Sequence, residues 1–362
     1  MLVEEWVKKI KVRKGRLSKE NIELPIARID FPKGRDQKID YRITQTATGA
    51  EIVLLTKVVG MHQFPPSMQA IRMDSEKGLI EEDYISGFIP EFLPVNPLPK
   101  ELPKELHRRK FVYGAREIGK KQGQTTSVFS PDERYVFSDT SFPWCTCGLV
   151  ETGAGNGSGV MIGPRHLMTA SHVINWGLNN TAGWLRFTPL YFDGSAPFGL
   201  TYGTRIYWWL KVDTDGDGLI GSTETAFDYV VVVLDRRLGD TTGWMGSRGY
   251  NTAWNGGNYW AHIGYPGDIA GGQRPTFIGY QDFDDTFEES TMSRDSYGIK
   301  HKIDVWPGQS GGPYFGWWEG ESWPRVVGIQ STENWGGTGG PNTCGGGNPL
   351  SELINYARTV EP

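Results

Sequence analysis

The chain has 362 residues, room for two or three domains. Its formal net charge of -5 argues against a polyanion partner such as a nucleic acid. No run approaches the ~18 apolar residues of a membrane-spanning helix. The charge is unevenly spread. Residues 1–125 carry 23 Lys+Arg against 17 Asp+Glu, and the remainder carries 14 against 25. A shift of that size marks a boundary. It reads equally as a basic segment that docks on an acidic body and as two solvated surfaces of opposite sign.

Residues 1–89 form an N-terminal region of short apolar stretches. Asp40 to Thr46 and Glu51 to Val59 flank Ala47-Thr48-Gly49-Ala50 and predict a hairpin. Residues 90–127 read as a linker, with Pro90, Pro94, Pro97, Pro99 and Pro103 favouring extended chain. Arg108-Arg109-Lys110 within it is either a cleavage site or an exposed basic turn. The first residues, Met1-Leu2-Val3-Glu4-Glu5, lack the apolar stretch of a secretion signal.

From residue 128 onward glycine rises and short β-rich segments alternate with turns. Val160 to Ile162, Ile206 to Val212, Tyr229 to Leu234 and Val326 to Ile329 are examples. This pattern predicts an all-β sandwich or barrel. Leu350 to Ala357 alone reads as helix. Cys145 and Cys147 are too close to pair readily, which leaves a bridge from one of them to Cys344 or three free thiols. His62, His107, His166, His262 and His301 read as surface or packing residues.

His172 follows Thr169-Ala170-Ser171, and Ser310 sits in Gly308-Gln309-Ser310-Gly311-Gly312-Pro313. A serine hydroxyl is a poor nucleophile until a base removes its proton, so the two residues mean more together than alone. Asp228 opens the apolar stretch Tyr229-Val230-Val231-Val232-Val233-Leu234, where a buried carboxylate needs a partner to offset desolvation. The order His172, Asp228, Ser310 is one of the known orders of a serine nucleophile, its base and the acid that orients it.

With these stretches the chain resembles the chymotrypsin-like serine peptidases, and within them the glutamyl-endopeptidase-like branch. Pro131-Asp132-Glu133-Arg134, Gly157 to Pro164, Gly264-Tyr265-Pro266-Gly267-Asp268 and Gly328-Ile329-Gln330-Ser331 extend the match. The resemblance implies two packed antiparallel β-barrels, residues 128–245 with His172 and Asp228 and residues 246–362 with Ser310, plus a short C-terminal helix. It further implies a secreted endopeptidase of protein or peptide substrates, made as a precursor with residues 1–89 as a pro-region in cis. The Gly308 and Ser310 amides would form the oxyanion hole, and Ser331 would support the aspartate. Asp304 and Gln330 are candidates for the substrate pocket, though Gln330 stands where glutamate-specific relatives carry histidine. Gln309 stands where many relatives carry an aspartate that pairs with a freshly cut amino terminus. Ser158 and Val173 replace a bridged cysteine pair. A catalytically silent binding module of the same fold is the rival reading.

Asp213 to Glu224 matches a calcium loop. Asp213, Asp215 and Asp217 fall at positions 1, 3 and 5, Gly218 at 6, the Leu219 carbonyl at 7 and Glu224 at 12. Hard oxygen donors suit structural Ca²⁺ over zinc. An acidic surface turn is the alternative. The flank Ile206 to Leu210 reads as strand, so the loop is expected without paired helices.

Overall fold

The computed structural model describes residues 40–46, 49–55, 67–74, 83–99, 128–129, 131–178, 180–213, 219–332 and 341–362. The basic run at Arg108, His62, His107, Asp215 and Asp217 lie outside the described residues. The chain divides into two units, Met1–Phe64 and Pro65–Pro362. In the first, Asp40–Thr46 pairs antiparallel with Gly49–Leu55, which is the expected hairpin with an earlier second strand.

The second unit holds two sheets. The first contains β1 (Met68–Arg72), β2 (Cys147–Thr152), β3 (Asn156–Gly163), β4 (His166–Thr169), β5 (Leu185–Pro189), β6 (Thr201–Trp208) and β7 (Val230–Leu234). Six of these close a barrel in the order β5-β2-β3-β4-β7-β6, with β6 pairing back onto β5. The run of valines explains β7. Branched side chains are stiff and pack well on a pleated surface, and all five residues of the strand are buried.

β1 extends this sheet beyond the barrel. It pairs parallel with β6, from Gln69↔Arg205 to Arg72↔Trp208, and antiparallel with Thr181–Ala182. Met68 and Ala70 are buried there. Residues read from sequence as pro-region thus belong to the same sheet as the barrel. Tyr84–Ile85 likewise pairs with Gly246–Arg248.

The second sheet contains β8 (Trp260–Gly264), β9 (Thr276–Gln281), β10 (Arg294–His301), β11 (Pro313–Gly316), β12 (Arg325–Thr332) and β13 (Asn342–Gly346). Its order is β10-β13-β12-β11-β8-β9, with Asp285–Thr291 at one edge and Tyr135–Val136 at the other. Among the described residues no pairing closes it, where a second barrel was expected. The pairings that close the barrel are all antiparallel, as expected, whereas two strand pairings beyond it are parallel, β1 with β6 and Gly246–Arg248 with β12. Neither pair is joined by a hairpin, so nothing in the connection forces opposite directions.

Two helices bear on the site. α1 (Ser222–Ala226) is one turn, and α2 (Asn348–Val360) closes the chain. α2 starts after Gly347 at φ 117°, with Pro349 in its first turn. Leu350, Leu353, Ile354 and Ala357 recur on one face and enter the core shared with the barrel. The three cysteines are free and buried, so no bridge forms. Burial pushes the Cys147 thiol up to about 12.

His166, His262 and His301 are fully buried, as packing residues. Burial pushes them down to about 4, 3 and 3 respectively. The unfolded chain takes up these protons near pH 6.5, whereas the folded chain resists them until about pH 3–4. Their contribution is therefore complete above about pH 6.5 and is lost as pH falls toward 4. The urea midpoint is expected to drop steadily across that window, and His262→Gln should flatten the slope. Identical slopes in the two proteins would refute this assignment.

Candidate active site

His172 lies three residues past β4, in the single turn Ser171–Val173. Ser171 pins that turn. Its hydroxyl donates to the Leu210 carbonyl (2.9 Å) and accepts from the Val212 amide (3.2 Å). Asp228 lies between α1 and β7, and its side chain is fully buried. Oδ1 accepts from the His172 amide (2.9 Å), and Oδ2 accepts from His172 Nδ1 (2.5 Å) and from Ser331 Oγ (2.6 Å). Three bonds to one carboxylate offset the cost of burying it. They also fix the tautomer. Nδ1 donates to the carboxylate, which makes Nε2 the acceptor nitrogen of the ring.

Ser310 lies in a turn that needs glycine at both sides. Gly308 has φ 103° and Gly311 has φ 84°. A Cβ on Gly311 would come within 2.2 Å of Thr169 Oγ1 and 2.8 Å of the Ala170 nitrogen. The Ser310 turn therefore rests directly on the segment that leads into His172. Ser158, on β3, ties the turn from the other side. Its amide donates to the Ser310 carbonyl (2.7 Å). Its hydroxyl donates to the Gly308 carbonyl (2.8 Å) and accepts from the Tyr265 amide (2.9 Å). Hydrogen bonds thus stand where a disulfide was expected to be missing. The Gly311 amide donates to the Gln330 carbonyl (2.9 Å), next to Ser331. One network joins the strand end before His172, the support of Asp228 and the turn of Ser310. Among the described residues, the Gly308 and Ser310 amides donate to no protein acceptor.

No protein-family model matches the chain. Over 195 residues it is 28% identical to glutamyl endopeptidase from Bacillus licheniformis, which covers 52% of this chain and 54% of that protein. The match thus spans about half the length of this curated relative. A solved Glu endopeptidase superposes with TM-score 0.51 at 19% identity, over 64% of this chain and 99% of that one. The fold is chymotrypsin-like.

Two of the residues expected to line the substrate pocket are engaged elsewhere. Asp304 is 3% exposed, and its oxygens accept from the amides of Phe129 (2.6 Å) and Glu133 (2.9 Å). Burial pushes its carboxyl up, against the pull of those amides. Asp304 latches the 129–133 segment and presents no free carboxylate. Gln330 is 2% exposed; its Oε1 accepts from the Tyr314 hydroxyl (2.6 Å) and its Nε2 donates to the Thr332 carbonyl (3.2 Å).

Of the calcium-loop residues, Asp213, Leu219 and Glu224 are described. Asp213 has φ 51°, and Glu224 Oε2 accepts from the Gly221 amide (2.9 Å). Glu224 thereby caps α1, so the downstream flank is helical where none was expected. Five residues are too few for a periodic apolar face, and the cap was the only available signal. Among the described residues, no group of three or more His, Cys, Asp or Glu side chains could hold a metal. Sequence reasoning missed Arg134, whose guanidinium reaches Gln309 beside Ser310 (3.0 Å). Its motif was visible, but its partner is 175 residues away.

Proposed function

We propose that the chain is a serine endopeptidase that hydrolyses peptide bonds through His172, Asp228 and Ser310. The observation that carries this reading is the buried Asp228 carboxylate bonded to His172 Nδ1, beside a glycine turn that bears a half-buried serine. Ser310 Oγ attacks the scissile carbonyl as His172 Nε2 takes its proton. The imidazolium then gives that proton to the leaving amine. A water, deprotonated by the same imidazole, hydrolyses the acyl-enzyme. Asp228 holds the ring and stabilises its cation. The unengaged Gly308 and Ser310 amides receive the oxyanion. An organophosphate should label the native chain once, at Ser310, located by mass spectrometry. A folded chain that takes up no label would favour a silent binding module and end the peptidase reading.

Secretion and synthesis as a precursor with residues 1–89 in cis belong to the same proposal. So does structural Ca²⁺ in the 213–224 loop, on the strength of its carboxylate spacing. Asp213, Asp215, Asp217, Glu224 and the Leu219 carbonyl would hold the ion, and no chemical step passes through it. Glu224 lies four residues before Asp228, so order in this connection steadies the acid. Chelation is expected to lower both the melting midpoint and activity, with recovery on adding Ca²⁺. An unchanged midpoint and unchanged activity would remove calcium from the proposal.

A further inference from the structure

Gln309, next to Ser310 in the turn, is 1% exposed. Its Oε1 accepts two hydrogen bonds, from the Trp306 amide (2.9 Å) and from Arg134 Nη1 (3.0 Å). Two donors on one oxygen settle the amide's orientation, because a flipped NH2 would face both of them.

Arg134 has no exposed side-chain surface. Its fork grips two carboxylates. Nη2 and Nη1 donate to Asp268 (2.7 and 3.2 Å), and Nε and Nη2 donate to Asp132 (3.0 and 2.9 Å). Burial by itself would push the guanidinium down; the bonds to Asp132 and Asp268 outweigh it and push it up. A permanently charged planar donor with matched carboxylates is a rigid anchor.

The anchor joins three pieces of backbone. Asp132 and Arg134 belong to the segment that Asp304 latches. Asp268 belongs to the 264–268 bend, where the Gly267 amide donates to the Pro307 carbonyl (2.8 Å). The third piece is the nucleophile turn, reached through Gln309. Tyr265, in the same bend, has its carbonyl against Gly308, only 2.4 Å from where a Cβ would stand.

We propose that Arg134 is a positioning residue for the Gly308 and Ser310 amides. By holding Gln309 from within the chain, it keeps the turn in its reactive shape without an ion pair from a newly cut terminus. Asp132 and Asp268 aim the guanidinium; none of the three touches substrate. This rests on the serine-peptidase reading above. It also implies that the oxyanion hole is formed in the uncut chain.

The test uses the full chain and two single variants that act on different ends of the contact. Gln309→Leu removes the acceptor and leaves Arg134 paired with both carboxylates. Arg134→Lys keeps the charge and loses the fork. Each is expected to lower kcat at least ~10-fold with KM within about threefold, a fraction of the 10²–10³ seen on losing an oxyanion donor outright. The rate of organophosphate labelling should fall in parallel. Gln309→Glu, which still accepts from Arg134, should recover most of the loss. A wild-type chain that takes no label at Ser310 overturns the peptidase reading itself. A labelled wild type, with Gln309→Leu and Arg134→Lys labelled at its rate and changed only in melting midpoint, overturns the positioning role alone.

Discussion

Asp228→Asn is expected to lower kcat by about 10⁴-fold while leaving the fold intact. The reason lies in which atoms the carboxylate serves. Oδ1 faces the His172 amide, a fixed donor, so the asparagine oxygen must take that side. Its NH2 then faces His172 Nδ1 in place of Oδ2. Nδ1 must become the acceptor, which moves the ring proton to Nε2. The nitrogen that should take the Ser310 proton already carries one. Ser331 Oγ, which donates to the carboxylate in the parent chain, can accept from the second hydrogen of that NH2, so the loss falls on chemistry more than on stability. Steady-state kinetics with a peptide substrate, paired with a melting curve, checks this. A variant within tenfold of the wild-type kcat would remove Asp228 from the mechanism.

Gly308→Ala should cost about 10²–10³-fold in kcat, the range found when one oxyanion donor is lost. At φ 103° an L side chain is strained, and the added Cβ would lie 2.4 Å from the Tyr265 carbonyl. That oxygen is backbone and cannot swing aside. The bend at 265 and the turn at 308 must therefore part, and the 308 amide moves with them. Ser158 would resist, since its hydroxyl bridges the Gly308 carbonyl and the Tyr265 amide. The measurement is kcat and KM for Gly308→Ala beside Gly320→Ala, a positive-φ glycine with open space around it. Equal kcat in the two variants would count against any oxyanion role for the 308 amide.

Local chemistry is what the sequence made readable. The valine run of β7, the amphipathic face of α2 and the hairpin after residue 39 are each specified within a few residues. His172, Asp228 and Ser310 stood out because each sits in a short motif of its own. What escaped depends on distant pairing. Arg134 gains its meaning only when the fold brings it to Gln309. Asp304 looked like a pocket residue by its offset from Ser310, yet two amides from the 129–133 segment claim it. The parallel placement of β1 against β6 could not be read either, because no local turn dictates where a remote strand inserts.

That insertion has a consequence for any cut made upstream of the barrel. Met68–Arg72 is clasped between β6 and Thr181–Ala182, and Phe88 stacks on Trp244 with ring centres 4.5 Å apart. Scission anywhere between residues 99 and 128 would sever the polypeptide without freeing its upstream portion. The product would be a nicked heterodimer, a single particle under native conditions that separates into two bands once denatured.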